Sequence, residues 1–430
     1  MKIRIISVIV IIAIGIITVG GVLISEKSTV DQYNQFLSSA RENAENEIPY
    51  VSVQKYKAAL AIDCSDESVY REYIKECEIL GETFYEEAVK DYTDKFPESS
   101  QAHEDLCTYY YDTENYQAVI TTANKAREAG IATEKVKEYY LECAYMFKYV
   151  ATGFDEASSF LGNYALVKKD EAYGYISDAG GYLIAPMYKD AAFFLGSATA
   201  VCDDEWYFVN QAGYKVAKPD KEVDSMSYLS NGKILVSKNG KYTYASSSLK
   251  IPNDFQYDAA SDFKNNVAAV KKGNKWALIN SQEENLTDYI YDDILLDEFD
   301  ACINNGVIFA KINGKYYLID ENGNRLSDKG FDNAYPFYGT SPAAVCVDGK
   351  WGFIDSTGKE IIKPQYVDAK SFSNGLGEVC VDGKWGYINE ANEFRIEAQF
   401  SDCLPFSDNG IAAVQENNVW NYIKLISYDN

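Results

Sequence analysis

The sequence predicts an α+β multidomain chain in three parts: an apolar N-terminal spanning helix, a short all-α stack, and an all-β domain of tandem repeats. Three observations predict it. Ile3 to Ile24 carries a single charge, Arg4; residues from about Tyr33 to Met146 keep a three- and four-residue apolar period; and from Phe154 onward one phrase recurs eight times. The expected boundaries are 1–25, 26–148 and 149–430.

The N-terminal segment is long enough to cross a bilayer core of roughly 30 Å as a helix. A cleaved signal usually has an apolar run of only about 7–15 residues, so the length favours an uncleaved anchor. Lys2 and Arg4 precede the run, while Glu26, Lys27 and Asp31 follow it. That asymmetry places the N-terminus in the cytoplasm. The expectation is a single-pass protein of the cell membrane, contacting the membrane through residues 3–24, with everything later outside the cytoplasm.

The helical region shows amphipathic spacing at Val53, Tyr56, Leu60 and Ala61, at Phe84, Ala88, Val89 and Tyr92, and at Tyr116, Val119, Ile120 and Ala123. Asn46 and Pro49, Pro97 to Ser100, and Gly130 stand where helices should stop and start. Tyr56-Lys-Ala-Ala-Leu-Ala-Ile-Asp63, Tyr85-Glu-Glu-Ala-Val89 and Tyr116-Gln-Ala-Val-Ile120 resemble second helices of tetratricopeptide repeats. Ala59, Ala88 and Ala118 are spaced 29 and 30 apart, short of that family's 34. The resemblance implies a short helical spacer, with a concave peptide groove as the alternative.

The β region is defined by its period. An aromatic-x-Asp-Ala-x-x-Phe phrase, clearest in Tyr188-Lys-Asp-Ala-Ala-Phe-Phe194 and Tyr366-Val-Asp-Ala-Lys-Ser-Phe372, recurs with variation from Phe154, Tyr188, Val223, Tyr257, Tyr291, Phe331, Tyr366 and Phe400. Successive starts lie 34, 35, 34, 34, 40, 35 and 34 residues apart, which marks a tandem array with one insertion in the fifth unit. After each phrase come two β-rich runs around a pair such as Asp382-Gly383, Asp348-Gly349, Asn313-Gly314 or Asn239-Gly240. Such pairs favour a two-residue hairpin turn. An aromatic follows each turn: Tyr173, Trp206, Tyr242, Trp276, Tyr316, Trp351, Trp385 and Trp420. A second turn and a short run ending in proline, as in Glu360-Ile-Ile-Lys-Pro364, complete the unit, and that proline belongs at a strand edge or end.

Lys350-Trp-Gly-Phe-Ile-Asp-Ser-Thr-Gly-Lys-Glu-Ile-Ile-Lys-Pro364 resembles the motif of the bacterial WG-repeat family, and the resemblance extends over about 150–427. Tyr173-Gly174, Trp351-Gly352 and Trp385-Gly386 keep the aromatic-Gly pair, whereas Tyr207, Thr243, Ala277, Tyr317 and Asn421 replace the glycine. Tyr173, Gly174, Trp206, Trp276, Trp351, Gly352, Trp385, Gly386 and Trp420 are expected to be structural, the aromatics filling space between units. A propeller-like ring of about eight units protects its sheet edges, whereas an open β-solenoid, the alternative, would need caps. The last unit ends at Ile426 without a proline run, so its blade is expected to lack a strand.

Chemistry is sparse. A net charge of −25 opposes nucleic acid. The single histidine, His103, is expected on a solvated helix face. Phosphate loops, dinucleotide fingerprints and zinc spacings are absent from the sequence, so no cofactor, metal or catalytic residue is assigned. Asp320-Glu-Asn-Gly-Asn324 reads as a turn, not a calcium loop, and the repeated Asp190, Asp293, Asp368 and Asp402, with Asn333, read as local turn acceptors. Cys202, Cys346 and Cys380 sit at related places in successive units and read as unpaired, small apolar residues. Candidate sugar-stacking aromatics that break the repeat are Tyr109 to Tyr111 and Tyr335 to Tyr338. The function expected is a non-catalytic, membrane-anchored extracytoplasmic protein that presents a β-repeat platform to an unidentified protein or envelope glycan. A cell-wall or carbohydrate-binding module is the alternative, and an unrecognised hydrolase ranks last.

Overall fold

The computed structural model describes residues 28–252 and 254–428. The expected spanning segment, Ile3 to Ile24, lies outside them. Among the described residues no helix is long and apolar enough to cross a membrane. The expected single-pass topology, the membrane as partner and the cell-membrane localisation are corrected accordingly, since no described helix supplies a span. The chain divides into two compact units between Ala144 and Tyr145.

Among the described residues the first unit is a stack of seven helices: α1 over 28–45, α2 Pro49–Leu60, α3 Glu67–Leu80, α4 Glu82–Lys95, α5 Ser100–Asp112, α6 Tyr116–Glu128 and α7 Glu134–Ala144. Their limits follow local chemistry. Pro49 opens α2, where a missing N–H costs nothing. Asp66 and Ser99 cap α3 and α5 by accepting the amides of Ser68 and Ala102, and Gly130 takes a positive φ just past α6. The apolar stripes meet in a core of Val53, Tyr56, Val69, Tyr70, Ala88, Val89 and Tyr92. His103 is 5% exposed, its Nδ1 3.0 Å from the Ser99 carbonyl oxygen. The expectation of a solvated histidine is therefore corrected, because α5 turns that face into the stack.

The second unit is eight antiparallel sheets in sequence order. Blades one, six and seven have four strands apiece, ending in the seven-residue outer strands Tyr182–Tyr188, Glu360–Tyr366 and Phe394–Phe400. In blade two the outer strand is only Lys215–Ala217, and blades three, four and five stop at three strands. The expected hairpin turns form: both φ values are positive at Asp382-Gly383 (51° and 75°) and at Asp348-Gly349 (52° and 74°).

Blade eight does not lack a strand. Its outer strand is Phe147–Phe154, from the other end of the unit, paired antiparallel with Val419–Leu425 in the register Phe147 to Leu425 and Phe154 to Trp420. This pairing closes the array into a propeller-like ring. An apolar cluster fills every junction between neighbouring blades, including that of blades eight and one, where Phe154, Phe160, Val167, Ile176, Ala413 and Tyr422 meet.

The eight aromatics after the turns fall at the eight junctions. Trp206, Trp276, Tyr316, Trp351 and Trp385 belong to the buried clusters between blades two and three, four and five, five and six, six and seven, and seven and eight. Tyr173, Tyr242 and Trp420 flank the other three, partly buried. A second tie recurs two residues later. The hydroxyls of Tyr175, Tyr244, Tyr387 and Tyr422 donate to the carbonyls of Ala192, Ser261, Leu404 and Ser158, each the residue just after the inner strand of the next blade.

Candidate functional site

The insertion in the fifth unit builds the centre of the ring. Asp297 closes it into a tight turn, its Oδ1 accepting the amides of Phe299 at 3.0 Å and Ala301 at 2.9 Å. From blade five the turn reaches four other blades. The Asp262 amide of blade four donates to the Asp300 carbonyl at 2.7 Å, and the Tyr228 hydroxyl of blade three donates to the Phe299 carbonyl at 2.9 Å. The Phe193 ring of blade two meets Phe299 edge-on at 5.1 Å. The Ser159 amide of blade one donates to Glu298 Oε2 at 3.3 Å. The insertion therefore lies across the axis as a plug.

Two recesses border this plug. The larger, about 580 Å³, is lined by Asp297 and Phe299 of the plug and by polar turns from blades one, six, seven and eight, among them Asn163, Thr340, Ser373 and Asp408. Lys264 is the cation in its lining; its ammonium donates to Asp297 Oδ2 at 3.1 Å and to Asn304 Oδ1 at 2.5 Å. Asn304 also donates to Asp297, so the positive charge is matched inside the wall. The smaller recess, about 330 Å³, is bordered by Asp300, Asp190, Phe193 and Ser225.

Burial acts strongly on acids around the plug. It raises the Asp262 carboxyl to about 8, the Glu378 carboxyl to about 8 and the Glu298 carboxyl to about 7. Asp262 accepts a hydrogen bond from the Ser227 hydroxyl. Glu378, by contrast, is 0% exposed and neither of its side-chain oxygens has a hydrogen-bond partner; Glu298 Oε1 has none either.

Sequence reasoning missed Glu298, Glu378 and Lys370, although a signal was present. Glu378 pairs with Tyr387, and the residues in the same register elsewhere are Leu166, Ala200, Leu235, Ala269, Phe309, Ala344 and Ala413. One acid among seven apolar equivalents is legible once the units are aligned strand by strand.

The motif residues Trp206, Trp276, Trp351 and Trp385 are 6–8% exposed and do not line the larger recess. Of the repeat-breaking aromatics, Tyr338 lines it, Phe337 is buried, and Tyr109 to Tyr111 lie in α5. Asp190, Asp368, Asp402 and Asn333 each accept the amide of the following residue, and Asp293 accepts the Tyr316 hydroxyl, so these side chains serve local structure. Asp320 likewise accepts the amides of Asn322 and Asn324. All nine cysteines are free. Among the described residues no group of three or more His, Cys, Asp or Glu side chains is placed to hold a metal.

The family described as the WG containing repeat matches this chain at residues 254–276, 318–351, 351–385 and 385–420. The match covers part of the ring, less than the 150–427 read from the sequence. Blades one to three fold alike without it. The chain has no match among curated proteins compared with it. Among solved structures it is similar to a eukaryotic initiation factor, at 11% identity over 66% of this chain and 88% of that one, with a TM-score of 0.42. It is also similar to the N-terminal domain of Nup159, at 12% identity over 65% and 95%, with a TM-score of 0.30. This chain's own strand pairing, Phe147–Phe154 with Val419–Leu425, makes the propeller-like ring.

Proposed function

We propose that this protein is a non-catalytic binding module whose ring presents the larger axial recess to a polar partner, a protein segment or another ligand. The observation that carries the reading is the plug. Eight units build a ring with pseudo-symmetry, and the insertion in the fifth breaks it by lying across the axis and lining the larger recess. A concave pocket of this size with a few convergent polar groups is the ordinary form of a ligand site. Full-length protein used as bait, beside Thr340→Trp and Asp408→Trp variants that fill the rim, tests it. The expected result is a partner whose affinity falls at least about tenfold in both variants at unchanged melting temperature. Equal binding by all three proteins would place the site elsewhere.

A carbohydrate reading has its own support in Phe299 and Tyr338, half-buried rings that share the lining with hydroxyl and amide groups. Retention on purified peptidoglycan, displaced by soluble fragments, is the expected outcome under that reading; elution with a blank protein removes it. Hydrolysis has the least support, since neither Glu298 nor Glu378 lines the larger recess.

A further inference from the structure

Charge is unevenly spread over one face of the ring. The hairpin tips that join the second and third strands carry an acid in five blades, as at Asp170, Asp204, Asp348, Asp382 and Glu416. Those of blades three, four and five carry none. Lysines stand there instead: Lys238 and Lys241, then Lys271, Lys272 and Lys275, then Lys311 and Lys315. Lys241 pairs with Asp258 at the foot of blade four, Lys275 with Asp292 at the foot of blade five, and Lys315 with Asp332 at the foot of blade six, so the three tips adjoin as one arc. Asp224 at the foot of blade three accepts the Asn239 amide of its own tip. Lysines still outnumber these acids, and in a chain of net charge −25 the arc is a local inversion.

Lys238, Lys271, Lys272 and Lys311 form no ion pair among the described residues. Lys238 donates to the Glu222 carbonyl at 2.9 Å and Lys272 to Gln256 Oε1 at 3.0 Å. Lys271 lies 5.7 Å from the centre of the Trp276 ring, and Lys311 lies 4.9 Å from that of Tyr316. The rings support these ammoniums, which keep no counter-charge of their own. Beside them Ile290 is 52% exposed, next to Tyr291, which bridges Trp276. A matching surface lies on the helical stack, where residues 28–144 hold 24 acidic against 11 basic side chains. At the turn from α1 to α2, Glu42, Glu45 and Glu47 are exposed and form no ion pair among the described residues, while the neighbouring Arg41 is engaged by Glu72. Ile48 and Tyr50, at the start of α2, are 45% and 58% exposed. One short turn thus offers carboxylates and bare apolar side chains, the complement of the ammoniums and Ile290 on the arc.

We propose that the lysine arc of blades three to five docks the acidic turn between α1 and α2 of a second copy of this chain. Such a contact is head-to-tail, with different surfaces on the two copies, and so propagates into open chains or closes into a ring of copies. It involves neither the plug nor the axial recess. Exposed ion pairs are individually weak, so the contact forms at high protein concentration and depends on salt. Two copies of charge −25 repel at long range. At about 0.1 M salt that repulsion is screened beyond about 10 Å while charges in contact still attract; at about 1 M the reach drops to about 3 Å.

Sedimentation velocity of the full-length protein at about 100 μM, in about 0.1 M and about 1 M salt, tests the contact. The expected result is association that rises with concentration at the lower salt and is at least about tenfold weaker at the higher. Lys272→Glu/Lys311→Glu and Glu45→Lys/Glu47→Lys should each weaken it at least about tenfold at unchanged melting temperature. Mixing the two variants should restore it, because each supplies the surface that the other has lost. Should the arc variant misfold, Lys272→Gln/Lys311→Gln, which removes charge without adding any, is expected to weaken association at least about threefold. A wild type that stays monomeric overturns the contact, as does association indifferent to salt or a mixture of variants that remains monomeric. A monomeric wild type that instead sediments with phosphatidylglycerol vesicles assigns the lysines to an anionic surface and likewise overturns it.

Discussion

The outer strand of blade six passes so close to Gly352 that a β-carbon there would lie 2.5 Å from the carbonyl oxygen of Ile362. The strand pairing gives the cause: Trp351 pairs with Tyr366 and Phe353 with Ile362, so Lys363, Pro364 and Gln365 bulge over the single residue Gly352. Gly174 lies under Pro186 and Gly386 under Ala398 in the same way. These are the blades with seven-residue outer strands. Where Thr243, Ala277 or Tyr317 replaces the glycine, the fourth strand shrinks to isolated bridges such as Tyr242 with Tyr257. The glycine thus belongs to the outer strand, not to a ligand.

Gly352→Ala should destabilise the ring by about 1–3 kcal/mol, the usual cost of overpacking against backbone that must shift. Thermal denaturation of the full-length variant measures it. A melting curve superimposable on wild type would show that the bulge yields freely and that close approach does not select glycine.

Trp385 is 8% exposed between blades seven and eight, beneath the Lys370 ammonium. Trp385→Ala should cost about 3–5 kcal/mol and lower the melting temperature of the ring, with any binding falling only as the folded fraction falls. A variant that melts like wild type but loses its partner would make Trp385 a contact residue instead.

Closure depends on Phe147–Phe154. Its amides should exchange no faster than those of Phe394–Phe400, the outer strand of blade seven, because each completes a four-stranded blade. Exchange at the rate of a free chain end would show a ring that opens in solution.

The two units should respond to pH with opposite sign. Glu378 titrates at about 8 when folded against an ordinary 4.5, so the stability it contributes is full below about 4.5 and is lost as pH rises through about 8. In the helical stack, Glu72 is held below its ordinary value, first by the Arg41 guanidinium and also by the Tyr56 hydroxyl; hydrogen bonds from Ser99 and Tyr92 lower Glu67. Their stability is present above about 4.5 and is lost as pH falls. Hydrogen exchange at pH 3.5, 5.5 and 8.5 should find α3 least protected at the lowest pH and blade seven least protected at the highest, with Glu378→Gln abolishing the second trend. Parallel pH profiles for the two would contradict both assignments.

The sequence by itself determined what neighbouring residues decide: eight units of about 34 residues, the Asp-Gly and Asn-Gly hairpins, the helix ends at Pro49 and Ser99, and one long fifth unit. Each is written in spacing along a few residues, where backbone torsion and local hydrogen bonds suffice. Only the tertiary structure decided that Phe147–Phe154 supplies the strand the last unit lacks, that His103 faces inward, and that the extra residues of unit five cross the axis to meet Ser159, Tyr228 and Asp262. Those outcomes depend on residues far apart in the chain competing for one buried space. Glu378 stands between the two cases. Its place in the repeat was legible, but its unmatched burial follows from Lys370 turning to Asp402, a choice made only when blade eight packs against blade seven.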